Sequence, residues 1–259
     1  MATYNVFITG ATSGIGLGIA RVLASEGHQI AYNGIADLEE TIAINEKLTD
    51  LGATGVHYFD ADMCAGEAIR KMIATAENTM GPIEVLVNNA GIQHVAPIEC
   101  FPIPKWEDMI AVNLTAHFHT IAAVIEGMRS RGFGRIINIS SVHGLVASVN
   151  KSAYVSTKHG VVGLTKTVAL ECATDGITVN AICPGWVKTP LVESQIHVRS
   201  EMSGRSFEEE SSLLIQERQP SQAFVTPKQI GKLCLYLMSE AAASVTGMAI
   251  PIDGAWTAQ

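Results

Sequence analysis

The sequence predicts an α/β fold, a doubly wound parallel sheet with helices on both faces, and three observations predict it. Strand-like and helix-like segments alternate along the first 180 residues. The strand-like runs are apolar at successive positions rather than at every second one, as in strands covered on both faces. The first run leads directly into a glycine-rich turn that opens a helix.

Taken in order, Tyr4 to Thr9 (YNVFIT) is short, β-branched and aromatic, and Ile15, Ile19, Val22 and Leu23 then recur at helical spacing through Ser25. Gln29 to Asn33 predicts a second strand, followed by a polar helix from about Asp37 to Leu51. Val56 to Phe59 predicts a third, followed by a helix over Glu67 to Met80. Glu84 to Val87 is an apolar strand core opening into NNAG. Trp106 to Arg131 reads as one long helix, Arg135 to Ile139 as a strand, Ala153 to Ala173 as a second long helix and Thr178 to Cys183 as a strand. No repeat or low-complexity linker interrupts the rhythm, so residues 1–259 read as one domain.

The rhythm fails between Trp186 and Phe224, which is polar and charge-rich with amphipathic patches at Leu191 to Val198 and Ser206 to Leu214. Ser206 and Glu209 have capping-box spacing. An insertion of this length after a strand's carboxyl end predicts a substrate lid, because ligands bind at that edge of open α/β sheets. Thr226-Pro227-Lys228-Gln229 restarts a helix with Thr as N-cap and Pro at its first position. A last strand is expected near Met248 to Ile252, before the tail DGAWTAQ.

The formal charge is −8, which argues against a nucleic-acid partner but not against a small anion in a locally positive pocket. Charged residues make up 16%, against about 25% in an average soluble domain, as expected of a well-buried core or of apolar surface buried between subunits. The five cysteines are odd in number, scattered and without CxxC spacing, which fits a reduced cytoplasmic setting. No Cys/His cluster has zinc spacing, so no metal is expected. No uncharged apolar run reaches 18 residues and the N-terminus lacks a signal-peptide pattern, so a soluble protein with no membrane partner is expected.

Gly10, Gly14 and Gly16 follow the first strand, where glycine lets backbone N–H groups approach a pyrophosphate at a helix N-terminus. Tyr154 and Lys158 stand at i,i+4 and share a helix face. A fixed ammonium there is expected to lower the phenol from its usual value near 10 toward the range of general acid–base transfer. Ser141, just past a strand end, can hold a substrate oxygen as charge develops. Holding the 2′-phosphate of NADP takes Arg or Lys, and Asn33 to Glu40 (NGIADLEE) has three acids and no base, so NAD is the expected cofactor.

Thr9–Gly16 (TGATSGIG), Asn88–Gly91 (NNAG), Asn113, Ser141, the Tyr154/Lys158 pair and Pro184-Gly185 together resemble the classical short-chain dehydrogenase/reductase family, over essentially the whole chain. The resemblance implies a Rossmann sheet of seven strands in the order 3-2-1-4-5-6-7. It implies that Tyr154 transfers the proton, Ser141 orients the carbonyl, Lys158 binds the nicotinamide ribose and tunes Tyr154, and Asn113 holds a relay water. It implies that Gly10, Thr12, Ser13, Gly14, Ile15 and Gly16 form the dinucleotide turn, with Ile35, Asp62 and Met63 at the adenosine end. Asn89, Ala90 and Gly91, with Pro184, Gly185, Val187 and Thr189, complete the cofactor site. Many NAD-specific relatives carry Asp where this chain has Asn33-Gly34-Ile35, so the NAD reading rests on exclusion of phosphate.

Within the family, NAGIQHVAP, IINISSVHGLV, NAICPGWVKTPLV, QPSQAFVTP and the tail resemble the branch that oxidises D-3-hydroxybutyrate. That implies that Gln93, His143, Lys151 and, from the lid, Gln195 bind a small carboxylate, with Trp186 and Trp256 walling its methyl end. Lys151, three residues before Tyr154, suits an acid better than a neutral sugar. The rivals are a 3-oxoacyl-carrier-protein reductase or polyol dehydrogenase on the same scaffold, and a cofactor-sensing protein that has lost catalysis; loss of Ser, Tyr or Lys would mark the last. A homotetramer is expected: the helix over Ala153 to Ala173 is apolar around much of its circumference, and the resemblance implies a second interface through the last helix and strand.

Overall fold

The computed structural model describes residues 2–258; Met1 and Gln259, the two ends of the expected domain, lie outside the described residues. The strands are β1 (Asn5–Ile8), β2 (Gln29–Tyr32), β3 (Val56–Tyr58), β4 (Val85–Asn88), β5 (Gly134–Ile139), β6 (Ile177–Pro184) and β7 (Ala249–Ile252). They form one parallel sheet in the order β3-β2-β1-β4-β5-β6-β7, as the family resemblance implied. The alternation of side chains along each strand divides the core in two. Val6, Ile8, Ile30, Tyr32, Val85, Val87, Ile137 and Ile139 face α1 (Gly14–Ala24), α2 (Leu38–Asp50) and α9 (Pro227–Met238). Phe7, Ala31, Leu86, Ile136 and Val179 face α3 (Gly66–Met80), α5 (Ala116–Arg131) and α6 (Ser152–Glu171). Burial on both faces is why these strands carry no polar alternation.

The expected helix from Trp106 begins earlier, as α4 (Ile103–Ile110), and passes through a π turn (Ala111–Thr115) before continuing as α5. The stretch Ile103–Arg131 is long and apolar enough to cross a membrane by length and composition, yet Met109, Ala116, Ile121, Val124 and Met128 are buried, the last four of them in the core beneath the sheet. A π turn inserts one residue into the hydrogen-bond ladder, and such insertions cluster at functional sites. Here it carries Asn113, fully buried, under the loop after β4.

The two amphipathic patches of the long insertion are helices α7 (Pro190–Ser203) and α8 (Phe207–Gln216). Both predicted capping boxes form: Glu209 N–H donates to Ser206 Oγ at 3.2 Å, and Gln229 N–H to Thr226 Oγ1 at 3.2 Å. A third, between Asp37 and Glu40, starts α2. Val192, Ile196 and Leu214 pack with Trp186, Phe207 and Phe224 into a small core that belongs to the insertion. On α6, Val161, Val162 and Val168 are buried within the chain, Val155 and Leu164 are half-buried, and Leu170 is exposed. The apolar surface left on that helix is therefore narrower than its sequence predicts.

Candidate active site

Two adjoining cavities lie past the carboxyl ends of β1, β4, β5 and β6, the larger about 580 Å3 and the smaller about 90 Å3. The larger is built on the turn between β1 and α1. Gly10 and Gly14 have φ of +63° and +55°, and a Cβ on Gly10 would stand 2.7 Å from Ala90 Cα. Ser13 caps α1 without a side-chain hydrogen bond, and no acid stands in the first turn. The helix thus presents free N–H groups and its positive dipole end, the chemistry that holds an anion. Thr9 Oγ1 accepts from the N–H groups of Asn89 (2.9 Å) and Ala90 (3.0 Å), and Asn89 Nδ2 donates to the Thr9 and Gly10 carbonyls (2.9 and 2.8 Å). The NNAG loop after β4 is therefore a brace for the glycine turn.

Gly10, Thr12, Ser13, Gly14, Ile15, Ile35, Asp62, Met63, Asn89, Ala90, Gly91, Tyr154, Lys158 and Thr189 all line this cleft. Gly16 does not. It is a packing residue, since a Cβ there would meet the Gly10 carbonyl at 2.4 Å and Asn89 Nδ2 at 2.5 Å. Pro184, Gly185 and Val187 line the smaller cavity instead. Asn33 and Gly34 also border the cleft, as do Cys64, Asp108, Ser140 and Leu191, which the sequence does not single out as site residues. Asn33 occupies the place of the family's Asp, and its Nδ2 donates to the carbonyls of Phe59 (3.1 Å) and Ala61 (3.3 Å), tying the end of β2 to that of β3. No sequence pattern signals a side chain committed to a neighbouring strand end.

Gln93, Ser141, His143, Lys151, Tyr154, Trp186 and Trp256 line the smaller cavity together. Gln195 is not on its wall but reaches over from α7, donating from Nε2 to Gln93 Oε1 at 3.2 Å. Lys151 Nζ lies 3.5 Å from His143 Nε2 and 5.1 Å from the centre of the Trp186 ring. His143 Nδ1 lies 3.4 Å from the Val146 carbonyl. A lysine that can only donate and a carbonyl that can only accept assign the neutral ring its proton on Nδ1. Burial, reinforced by Lys151, pushes the His143 imidazole down to about 4. The Trp256 ring stands edge-on to His143 at 5.5 Å and tilted against Trp186 at 5.9 Å. Asp253 holds that tail by accepting from the N–H groups of Ala255 (3.0 Å) and Thr257 (2.9 Å).

Tyr154 borders both cavities. The expected depression of its hydroxyl by Lys158 is not found. Burial raises it above the usual phenol range, and the Ser141 hydroxyl offsets only part of that. The cause is desolvation: the same dry setting pushes the Lys158 ammonium down to about 8. Lys158 Nζ instead donates to the Ile139 carbonyl at 2.8 Å and lies 5.6 Å from the centre of the Tyr154 ring. Ser141 Oγ accepts from His143 N–H at 3.2 Å, which leaves its own proton to donate. Asn113 has a structural part in the site. Its Oδ1 accepts from Ile92 N–H (2.8 Å) and its Nδ2 donates to the Ile92 carbonyl (2.9 Å), so its side chain pins the loop after β4.

Three comparisons bear on what this arrangement belongs to. The family model described as short chain dehydrogenase matches residues 4–199. A D-beta-hydroxybutyrate dehydrogenase of Cupriavidus necator is 49% identical over 253 residues, covering 97% of each chain. One of Rhizobium meliloti is 48% identical over 257 residues, 99% of this chain and 100% of that one. Among solved structures, a variant of the actinorhodin polyketide ketoreductase with NADPH superposes with a TM-score of 0.91 at 36% identity, over 98% of this chain and 97% of the other.

Two buried histidines set an acid limit on the site. Burial, with Lys158 adding to it, pushes His117 on α5 down to about 3, and His143 stands near 4. Both exceed that when unfolded, near 6.5. The unfolded chain therefore binds more protons below pH 6.5, and stability falls as pH drops from there toward the folded values. At pH 5 the loss is about 2 kcal/mol for each histidine. Urea unfolding at pH 7 and pH 5 checks it: the midpoint falls in acid, and replacing His143 with Gln removes about half of the difference.

Proposed function

This chain belongs to the short-chain dehydrogenase family, and on that premise we propose that it interconverts (R)-3-hydroxybutyrate and acetoacetate, passing hydride to and from NAD. One observation carries the reading. Lys151 and a neutral His143, 3.5 Å apart, and Gln93 line one small cavity together with Tyr154 and Ser141, and Gln195 reaches Gln93 from α7. A carboxylate needs such donors, and a cation among them is worth more to an acid than to a sugar or a neutral ketone. The names of the relatives from Cupriavidus and Rhizobium agree with it.

A dinucleotide fits the larger cleft. Gly10 and Gly16 leave no room for a Cβ, Gly14 takes a positive φ, and the first turn of α1 has free donors. The reason for NAD over NADP is charge. Asp62 and Asp108 border the cleft, and its one base, Lys158, is buried against Ile139 and Tyr154. Thr12 Oγ1 donates to the carbonyl of Ile35, whose side chain projects fully into solvent. Among the described residues, no guanidinium or free ammonium lines the cleft for a 2′-phosphate. When bound, the nicotinamide supplies the hydride acceptor.

In oxidation, Tyr154 takes the proton of the substrate hydroxyl while hydride leaves the same carbon. Ser141, with its acceptor side engaged by His143 N–H, donates to the oxygen as it becomes a carbonyl. Lys158 remains mostly charged at neutral pH and stabilises the phenolate. Asn113, its side chain engaged by Ile92 and at 3.4 Å by Thr157, holds the relay water from under the loop after β4. Gln93, His143, Lys151 and Gln195 bind the carboxylate, Trp186 and Trp256 exclude water from the methyl end, and residues 186–224 act as the lid. This lid belongs to the one catalytic domain.

Phe118 on α5 and Leu170 on α6 are exposed, as are Tyr236 on α9 and Met248 just before β7. These surfaces support a homotetramer in the cytoplasm, paired through the long helices and again through the last helix and strand.

Lys151→Ala removes a charged hydrogen bond of about 1.5–3 kcal/mol, so kcat/KM for the acid falls about ten- to a hundredfold. The loss falls mainly on KM, since the contact is made before and during the transition state. An unchanged ratio would defeat the carboxylate assignment. Light scattering tests the assembly: the expected mass is four times that of the 27.5 kDa chain, and a monomer mass at micromolar concentration contradicts it.

A further inference from the structure

Glu210 lies on α8 and lines neither cavity, yet its carboxylate side chain is only 2% exposed. Both oxygens are occupied: Oε2 accepts from Arg199 Nε of α7 at 3.0 Å, and Oε1 from Arg205 Nη1 of the connecting loop at 2.9 Å. Arg199 continues to Glu217 at the end of α8. The Ser203 hydroxyl, Arg205 and Arg199 hold the Glu210 carboxyl down to about 2, so it stays charged at neutral pH.

The inward face of α7 explains what this cluster does. Val192, Gln195, Ile196 and Arg199 recur at helical spacing on that face. Val192 and Ile196 pack into the small core shared with α8, and Gln195 reaches Gln93. Apolar packing is non-directional and tolerates a small roll of α7 about its axis. The Arg199–Glu210 bond does not, because a roll strands a buried charge. Arg199 stands one turn beyond Gln195, so a fixed Arg199 fixes the direction of Gln195.

We propose that Glu210 is a positioning residue: through Arg199 it locks α7 and α8 into one rigid unit and aims Gln195 at Gln93. The proposal rests on Gln195 being a carboxylate contact, as argued above. Glu210→Gln keeps the shape and removes the charge. With (R)-3-hydroxybutyrate as substrate, KM is expected to rise about tenfold while kcat stays within about twofold. Dinucleotide affinity, read by fluorescence titration, stays unchanged. Gln195→Ala gives a similar rise, and the double variant is no worse than Gln195→Ala alone. A wild-type KM for Glu210→Gln, or losses that multiply in the double variant, would overturn the proposal, even if the melting temperature falls. Hydrogen exchange on the wild-type chain gives an independent arm: α7 and α8 are expected to open with one shared free energy, and separate openings overturn the lock. If the wild-type chain turns over no 3-hydroxy acid, the functional reading fails, and the exchange arm still decides whether the helices are locked.

Discussion

The buried ammonium of Lys158 is the interaction on which the rest of the site depends. It sits within the protein, donating to the carbonyl of Ile139 at the end of β5. The contact is reciprocal, because Ser140 Oγ donates back to the Lys158 carbonyl at 2.9 Å. Gly144 completes the joint, since a Cβ there would meet Ser140 Oγ at 2.4 Å and the Lys158 carbonyl at 2.8 Å. Strand end and helix are thereby set at one distance. Ser141 on one and Tyr154 on the other can meet only because of it. An unpaired ammonium in that setting would be expensive, so the charge itself selects the geometry.

The same dryness has a chemical consequence. Without a bound partner, burial raises Tyr154 and lowers Lys158, which keeps the phenol protonated at neutral pH. Activation of Tyr154 therefore belongs to the loaded enzyme rather than to the lysine alone, and the protonated form is the one that reduction of the 3-oxo acid needs. The neighbouring smaller cavity is arranged differently. Lys151 is only partly buried and is shared between His143 and the face of Trp186, so its charge is available to an entering acid.

The sheet and most of its helices were legible in the sequence because their signals are local. Apolar runs marked the strands, the glycine turn marked α1, and Ser206/Glu209 and Thr226/Gln229 marked helix starts that form as predicted. Motif spacing marked Ser141, Tyr154 and Lys158, and the fold brings them to the two adjoining cavities. What stayed hidden depends on contacts between distant residues or on single insertions. The π turn at Ala111–Thr115 leaves hydrophobic periodicity almost unchanged, yet it decides where Asn113 lies. Asn113 gripping Ile92 spans 21 residues and Gln195 meeting Gln93 spans 102. Glu210 is one acid in the run Glu208–Glu210, and only the fold distinguishes the buried one from its neighbours. The failed expectation for Tyr154 has the same origin: i,i+4 spacing brings a lysine near, but desolvation, which spacing does not report, outweighs it.

Cofactor and substrate are joined in one claim, that the larger cleft takes NAD while the smaller takes a short 3-hydroxy acid. The most direct measurement is the appearance of reduced nicotinamide absorbance with (R)-3-hydroxybutyrate, its (S) isomer and longer 3-hydroxy acids, each with NAD and NADP. Turnover confined to the (R) four-carbon acid and strongly favouring NAD is the predicted result. Equal or better activity with NADP, or turnover of neutral alcohols with none of the acid, would contradict it.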